Sequence, residues 1–446
     1  MGFASLYPPY IRRIAAMLVR DLAYAVAGVV SAPVWATRMV RTGKHRTDWP
    51  GRFGRGQAVD GQGQRLLIHA VSVGEVNAIR GLVAELAQAR PDVRIIISAT
   101  TDTGIARAVE LFAERHAVVR YPLDFSFAVR RFLDRVRPSA VALTELELWP
   151  NFVSECRRRG IGLCVINGRL SERSFKRYRL ARPVLRSTFA SLDVAAVQTP
   201  AYAERFRYMG VPAERVRVLD SMKWDNAVIA EPDAVQGADE LAAAMGIDRH
   251  RPLIVAGSTG PGEEAMLLES CPADAQLLVA PRRPERFDEV ANLAARAAGE
   301  VAGKVAGGVV RRTHCPDAGR RCVTKGTRYF LLDTLGELRK AYALADVCIV
   351  GRSFLGLYGS DPTEPVALGK ATIIGPHHAD FADMVAALRA GEGLIVTDQP
   401  GATAATLLAE PDRAAAMGRR GREVIREHQG ATRRHAEMLT AMLDRA

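Results

Sequence analysis

The sequence lacks a Cys-x-x-Cys pair, and its six cysteines are scattered at positions 156, 164, 271, 315, 322 and 348. Zinc ribbons and dithiol redox centres need closely spaced thiols, so this spacing argues against both classes. Several of the cysteines lie in apolar runs that resemble strands. We therefore expect reduced thiols in a cytoplasmic compartment.

Acidic residues are the scarcer charge, with 49 Asp and Glu against 61 Lys and Arg and a formal net charge of +12. Most of the excess is arginine, which suits phosphates, carboxylates and anionic membrane surfaces. No platform of basic and aromatic residues accompanies this charge, so no nucleic-acid partner is expected.

The N-terminal apolar run is short for a transmembrane helix. Leu22 to Thr37 carries no charge, but these 16 residues fall below the roughly 20 that span a bilayer. No clean small-residue cleavage site marks a signal peptide, and arginines flank the run on both sides. We expect residues 1–45 to form a membrane-associated helix, spanning the bilayer or lying in its interface. The alternative is a buried helix that packs on the catalytic domain.

The 446 residues, 48% of them apolar, are too many for one ordinary core and fit two or three domains. Apolar runs that are typical of buried strands alternate with helix-like segments, which predicts an α/β fold with doubly wound parallel sheets. The runs lie at 66–71, 93–98, 140–144, 162–166 and 194–198, and then at 252–257, 276–280, 328–333, 346–350, 371–375 and 393–397.

The alternation breaks at 227–250, which reads as a linker with a short helix, and 300–327 reads as an irregular surface excursion. We therefore predict two Rossmann-like domains, at 46–230 and 231–446, the second ending in helices. Two such domains that face each other leave a cleft between their strand ends, where ligands commonly bind.

Acidic side chains follow two predicted strands of the first domain. Glu145 and Glu147 come after the run 140–143, and Glu75 comes shortly after 66–71. Because the carboxyl edge of a parallel sheet is where ligands bind, these acids mark a chemical site. Lys223, after the run 216–219, is either a solvated charge or a cation that neutralises a departing phosphate.

Four segments of the second domain are candidate ligand loops. Small residues at 256–264, including Ser258 and Thr259, open a helix whose N–H groups favour anions. Pro281 and Arg282 follow a strand, where the guanidinium is placed to bind a phosphate or remains solvated. Two further segments are 333–338 and 361–364. In the first, which ends in Gly336, Glu337 and Leu338, Asp333 or Thr334 caps a helix or the backbone holds a base or ribose. In the second, Asp361, Pro362, Thr363 and Glu364 place an acid at a helix start, where it caps the helix or accepts ribose hydroxyls.

Taken together, these motifs resemble the 3-deoxy-D-manno-octulosonic acid (Kdo) transferases, which are glycosyltransferases of the GT-B type with two Rossmann-like domains. The resemblance runs from about residue 40 to the C-terminus and extends to the N-terminal helix. It rests on segments 69–75 (HAVSVGE), 98–104 (SATTDTG), 121–124 (YPLD), 145–151 (ELELWPN), 167–171 (NGRLS), 333–338 (DTLGEL) and 344–347 (LADV).

The resemblance implies transfer of Kdo from CMP-Kdo to a lipid A precursor at the cytoplasmic face of the inner membrane. It implies that Glu75 is the general base and that Glu145 and Lys223 stabilise the transition state. Pro281 with Arg282, the segment 336–338 and the segment 361–364 match the family's CMP-binding segments. The family inverts configuration and needs neither a metal nor a cofactor for the reaction.

The chain departs from the family in its second half. Gly260 with Pro261 replaces a loop that usually has a histidine, Arg283 replaces another histidine, and Ser360 with Asp361 replaces His-Asn. A carboxylate near the expected phosphate weakens anion binding unless Arg283 compensates. These departures keep open a sugar-nucleotide epimerase or a transferase with another donor, and a non-catalytic membrane-bound binder of lipid or nucleotide is the alternative from a different class.

Overall fold

The computed structural model describes residues 9–41, 47–59, 61–299, 309–315 and 327–445. The chain divides into two compact units. Unit 1 contains Met1–Asn226 and Gln429–Ala446, and unit 2 contains Ala227–His428. Each unit is built on its own parallel sheet.

Among the described residues, unit 1 contains a seven-stranded sheet in the order β3-β2-β1-β4-β5-β6-β7. The strands are β1 Arg65–His69, β2 Arg94–Ala99, β3 Ala117–Arg120, β4 Ala140–Thr144, β5 Gly162–Gly168, β6 Val194–Val197 and β7 Val216–Val218. Most of their residues are buried and apolar, as expected for strands that have helices on both faces, whereas the edge strand β7 exposes two of its three residues. The strand order reverses between β1 and β4, which pair directly, so the crevice beyond their carboxyl ends is the expected ligand site.

The helices of unit 1 cover both faces of this sheet, and two apolar cores lie between them and the strands. They are α1 Pro9–Arg41, α2 Trp49–Arg52, α3 Val73–Ala78, α4 Arg80–Ala89, α5 Asp102–Phe112, α6 Ser126–Val136, α7 Pro150–Arg158, α8 Glu172–Ala190 and α9 Pro200–Met209. A 3-10 helix, Met222–Asn226, follows β7.

In unit 2 the described strands form a second parallel sheet in the order β10-β11-β9-β8-β12-β13-β14. They are β8 Leu253–Thr259, β9 Gln276–Pro281, β10 Val309–Arg311, β11 Tyr329–Leu331, β12 Val347–Val350, β13 Ala371–Ile374 and β14 Ile395–Val396. Helices again cover both faces: α10 Ala238–Met245, α11 Glu263–Ser270, α12 Phe287–Ala297, α13 Leu338–Leu344, α14 Thr363–Ala367, α15 Ala382–Ala390, α16 Pro400–Ala409 and α17 Pro411–His428. The strand order reverses between β8 and β12.

The last helix, α18 Ala431–Leu443, belongs to unit 1. Ala436, Leu439 and Leu443 are buried in the same core as β1 and β5 residues. The sequence-based boundary assigned residues up to 446 to the second domain, and the structure differs here because the apolar side of α18 completes the first unit.

Helix α1 contacts unit 1 along one side. The Arg20 guanidinium donates to the Pro150 carbonyl at 3.2 Å, Asp21 accepts from the Ser126 N–H at 2.9 Å, and the Tyr24 hydroxyl donates to Asp124 at 2.9 Å. Other side chains of α1 are apolar and more than half exposed: Leu18, Val19, Leu22, Val26, Val29 and Val30. None of the helices in the described ranges is long and apolar enough to cross a bilayer.

Two further expectations from the sequence need correction. The part of 300–327 that the structure describes contains strand β10, which pairs with β11, so it is not wholly irregular. Cys315 forms a disulfide, so the expectation of reduced thiols is wrong at that position. Cys156, Cys164, Cys271 and Cys348 are free and buried, as expected.

Candidate active site

Glu75 lies at the strand-order reversal of unit 1. The chain leaves β1 at His69, turns at Val71 and Ser72, and enters α3, where Glu75 is the third residue. The Glu75 carboxylate accepts hydrogen bonds from the Val71 N–H at 2.9 Å and from the Ser72 hydroxyl at 3.1 Å. These bonds orient the carboxylate beside the end of β1.

The environment of Glu75 raises its pKa to about 7. Burial is the main cause, because a charged carboxylate loses hydration there, and the negative charges of Glu145 and Glu147 act in the same direction. The hydrogen bonds from Val71 and Ser72 oppose them. A carboxylate with a pKa near neutrality is suited to accept a proton from a hydroxyl group.

Glu145 and Glu147 follow β4, the neighbour of β1. Glu145 has a left-handed backbone with φ of 58°, which is uncommon for a residue other than glycine, and its N–H donates to the Ile166 carbonyl at 3.0 Å. Glu147 accepts from the Trp149 indole N–H at 2.8 Å, and burial raises its pKa. The structure thus brings three acids from two adjacent strand ends into one electrostatic cluster.

Lys223 lies in the 3-10 helix after β7, and this helix packs beside α3, which carries Glu75. The Lys223 side chain is partly buried, and its backbone N–H donates to the Ser221 hydroxyl at 3.4 Å. The structure therefore places the segment that carries Lys223 beside the helix that carries Glu75. No cluster of three or more His, Cys, Asp or Glu suitable for a metal occurs in the described part of the chain.

In unit 2, Ser258 and Thr259 form the end of β8. Ser258 has a left-handed φ of 56°, and its carbonyl accepts from the Ser360 hydroxyl at 3.4 Å. The Thr259 side chain is buried, and its hydroxyl donates to Glu264 at 2.8 Å. The Thr259 hydroxyl is therefore engaged within the protein, and only the backbone of Thr259 is left to contact a ligand at this strand end.

Pro281 ends β9, and Arg282 follows it with an exposed side chain. The Arg282 N–H donates to the Thr259 carbonyl at 3.0 Å, which joins the ends of β8 and β9. The neighbouring Arg283 is also exposed. Two exposed arginines thus follow β9 at the carboxyl edge of the second sheet.

Asp361, Pro362, Thr363 and Glu364 lead into α14. The Asp361 carboxylate accepts from the Thr363 N–H at 2.9 Å and from the Thr363 hydroxyl at 2.7 Å, which is the geometry of an Asx turn. Glu364 is partly buried, which raises its pKa, while the charge of Arg339 lowers it. One oxygen of the Asp361 carboxylate is thus engaged in this turn at the start of α14.

Gly336, Glu337 and Leu338 open α13. Gly336 has a φ of 84°, a conformation that glycine adopts without strain. Burial alone would raise the pKa of Glu337, but hydrogen bonds from Thr334 at 2.7 Å and Arg312 at 2.9 Å lower it overall. Glu337 is therefore held as a carboxylate.

Gly260 is one of the positions where the chain differs from the family pattern. Its loop is built around Glu263, which sequence reasoning did not single out. Glu263 is fully buried, and its carboxylate accepts from the backbone N–H groups of Gly260 at 2.8 Å and Ser353 at 2.8 Å, among others. It thereby joins the loops that follow β8 and β12, at the strand-order reversal of unit 2. A Cβ atom at Gly260 would lie 2.4 Å from a methyl group of Leu357, so glycine fits this loop.

Comparisons with known proteins identify a family for this chain. The family profile described as 3-deoxy-D-manno-octulosonic-acid transferase (kdotransferase) matches residues 47–226. The chain is 34% identical to 3-deoxy-D-manno-octulosonic acid transferase of Bordetella pertussis, over 91% of this chain and 95% of that protein. The chain belongs to the 3-deoxy-D-manno-octulosonic acid transferase family. The Haemophilus influenzae member is 29% identical over 91% of this chain and 94% of that protein.

Solved structures agree with the GT-B fold expected of a family glycosyltransferase. Anabaena HepE in complex with UDP aligns with a TM-score of 0.54 and 11% identity, over 85% of this chain and 100% of that chain. The UDP-GlcNAc 2-epimerase of Neisseria meningitidis bound to UDP-GlcNAc also gives 0.54 and 11%, over 86% and 100%. At this identity the likeness concerns the fold alone. The predicted class of two Rossmann-like domains and the predicted family are confirmed.

Sequence reasoning assigned no role to several residues that support the first unit's site. Asn167 is fully buried with a left-handed φ of 52°, and its carboxamide oxygen accepts from the Met222 N–H at 3.1 Å, next to Lys223. The Asn-Gly pair at the end of strand β5 was a usable signal, because asparagine tolerates this conformation. Asp225 and His435 had no comparable local signal.

Proposed function

We propose that the chain transfers Kdo from CMP-Kdo to a lipid A precursor, with inversion and without a metal. Acceptor binding is assigned to unit 1 and donor binding to unit 2. The observation that carries the proposal is Glu75: a carboxylate with a pKa of about 7, at the strand-order reversal of a family glycosyltransferase, with two further acids and one lysine segment around it. Curated relatives that span more than nine-tenths of this chain bear the name of this transferase.

In the proposed reaction, Glu75 accepts the proton of the attacking sugar hydroxyl. The hydroxyl oxygen forms a bond to the anomeric carbon of Kdo, the bond from that carbon to the phosphate oxygen breaks, and CMP leaves. Lys223 offsets the charge that develops as the phosphate departs. Glu145 keeps the pKa of Glu75 high through its negative charge, and it orients the acceptor.

For the donor we propose the backbone at Ser258 and Thr259, the segment at Pro281 and Arg282, the α13 entrance at Gly336, Glu337 and Leu338, and the segment Asp361, Pro362, Thr363 and Glu364. In support, the Arg282 N–H and the Ser360 hydroxyl both bond to the end of β8, so three of these segments adjoin one another at the carboxyl edge of one sheet. The exposed Arg282 and Arg283 supply positive charge for a nucleotide phosphate.

We propose that the enzyme works at the cytoplasmic face of the inner membrane. The exposed apolar residues of α1, from Leu18 to Val30, support contact with the bilayer surface, and the basic excess of the chain suits anionic lipid. Polar residues of the same helix, such as Arg20 and Asp21, bind it to unit 1.

Incubation of the purified chain with CMP-Kdo and tetraacyl lipid A precursor, with products weighed by mass spectrometry, tests the proposal. We expect a mass increase of one or more Kdo residues and release of CMP. A parallel panel of UDP-sugars controls for donor identity. Transfer from a UDP-sugar without transfer from CMP-Kdo would overturn the proposed donor.

A further inference from the structure

The segment that carries Lys223 is hydrogen-bonded to the C-terminal helix α18 and to Asn167, which is itself hydrogen-bonded to α18. Residues 219–226 follow β7 and form the last stretch of unit 1 before the chain enters unit 2. More than 200 residues later the chain returns to unit 1 as α18. The contacts fall before and within the short helix that contains Lys223, on both sides of that residue.

Before Lys223, the contact is made by Arg434 of α18. Its guanidinium donates to the Asp220 carboxylate at 2.8 Å and to the Leu219 carbonyl at 3.2 Å. Asp220 has a left-handed φ of 64°, so this turn is in a conformation that most residues avoid. The ion pair is partly buried and holds the entry to the 3-10 helix.

Within the segment, the contact runs through Asn167. The Met222 backbone N–H donates to the Asn167 carboxamide oxygen at 3.1 Å. The Asn167 backbone N–H donates to Nε2 of His435 at 3.0 Å. Because Nε2 accepts, the ring proton of neutral His435 is on Nδ1, which donates to the Ala431 carbonyl at 2.8 Å. Met222 and His435 are fully buried, so these bonds have no competition from water.

After Lys223, the contact is made by Asp225. Its two carboxylate oxygens accept from the Gly430 N–H and the Thr432 N–H, each at 2.6 Å. These N–H groups lie at the N-terminus of α18, where a helix has unpaired donors and favours negative charge. The bonds fix the residue two positions after Lys223.

We propose that α18 is a positioning element for Lys223, and that Asp225, Arg434 and His435 are its positioning residues. This inference rests on the proposed function for the role of Lys223 in transfer. A helix that only stabilised unit 1 would change the fraction of folded protein. A helix that positions Lys223 changes the turnover of each folded molecule, because a small displacement of a catalytic group is costly.

The test compares Asp225→Asn with Thr199→Ala in the full chain. Thr199 caps α9 in the same unit by accepting from the Tyr202 N–H at 3.2 Å, so its loss removes a comparable cap from a helix other than α18. We expect Asp225→Asn to lower kcat for Kdo transfer by about tenfold or more. Thr199→Ala should leave kcat within about twofold at a similar loss of melting temperature.

A double-mutant cycle with Lys223→Met separates positioning from general damage. If Asp225 acts through Lys223, adding Asp225→Asn to Lys223→Met causes no further loss of kcat beyond about twofold. Multiplied losses, or an unchanged kcat in Asp225→Asn alone, would overturn the inference. Should Asp225→Asn fail to fold, Arg434→Gln replaces it in the same cycle with the same expectations.

Hydrogen exchange of the same proteins keeps this test distinct from that of the proposed function. Exchange of amides in 219–226 should rise about tenfold or more in Asp225→Asn and stay unchanged in Thr199→Ala. Unchanged exchange in Asp225→Asn overturns the inference even if the wild-type chain transfers Kdo. Absence of Kdo transfer by the wild-type chain overturns the proposed function, and faster exchange would then still support the attachment of this segment to α18.

Discussion

The Glu75 carboxylate accepts a hydrogen bond from the Val71 backbone N–H at 2.9 Å, four residues earlier in the chain. This bond returns the side chain to the end of β1, where burial and two acidic neighbours would otherwise raise its pKa further. The balance leaves the pKa at about 7. Glu75 is thus ionised in part of the molecules at neutral pH and can receive a proton there.

Replacing Glu75 with Gln should lower kcat for Kdo transfer by about 10²–10⁴-fold, the usual contribution of one acid–base group. In the wild-type chain, kcat/KM should rise with pH through about 7, because the base must be deprotonated. The residual activity of Glu75→Gln should lack this rise. Initial rates from pH 5 to pH 9 measure both, and CMP binding by calorimetry is the control for an intact donor unit.

The same substitution should change the pH dependence of stability. The folded pKa of about 7 lies above the usual 4.5, so the folded state binds the proton more tightly than the unfolded state. Stability from the protonated carboxyl is full below about 4.5 and is lost as pH rises to about 7. Glu75→Gln should therefore gain in relative stability across this window, as followed by denaturant midpoints, and a flat difference would contradict the raised pKa.

Glu145→Gln should shift the pH dependence of transfer to lower pH. Removing this negative charge takes away one cause of the raised Glu75 pKa. Glu147→Gln is the matched control, since the charge of Glu147 acts in the same direction with a smaller effect. Midpoints of kcat/KM against pH measure the shifts, and a larger shift for Glu147→Gln than for Glu145→Gln would contradict this electrostatic arrangement.

Asp361→Asn should tighten CMP binding several-fold. The carboxamide oxygen can still accept from the Thr363 N–H, so the Asx turn is retained while one negative charge near the proposed phosphate site is removed. Calorimetric titration with CMP at two salt concentrations measures the gain, which should shrink at high salt. Asp380→Asn, on the short 3-10 helix Ala379–Phe381, controls for the change of net charge.

Replacing both Val29 and Val30 with Asp should reduce binding to anionic lipid vesicles. Both side chains are about three-quarters exposed on α1, so the exchange should have little effect on folding while it places charge at the proposed bilayer surface. Val109→Asp, at an exposed apolar position of α5, is the control. Vesicle flotation measures binding. Equal binding by the α1 double variant and by Val109→Asp would contradict the proposal that α1 contacts the membrane.

Long apolar runs made the two sheets predictable from the sequence. Each of the runs at 66–71, 140–144 and 252–257 overlaps a buried strand. Strands β3 and β10 were not among the predicted runs. Each lies at an edge of its sheet, where its position depends on pairing with a single neighbour, β2 or β11.

The acids of the candidate site were predictable because they follow strands, whereas the conformation and the support of the site were not. Nothing in Leu-Thr-Glu-Leu-Glu announces a left-handed Glu145, since glycine and asparagine are the usual signals. The bond from Gly430 to Asp225 joins residues that are 205 positions apart. No local pattern encodes such a partner, because aspartate and glycine are common at the N-terminus of any helix.

The bonds of Asp225 to Gly430 and Thr432 also bear on how members of this family can recombine. They bring the point where the polypeptide leaves unit 1 beside the point where it returns to unit 1. Unit 2 is thus an insertion whose two ends are adjacent, and we expect an exchange of residues 227–428 between relatives to leave unit 1 intact. Exchange of all residues after 226, by contrast, also replaces α18 with that of the relative, and we expect its contacts with the Lys223 segment to be disturbed.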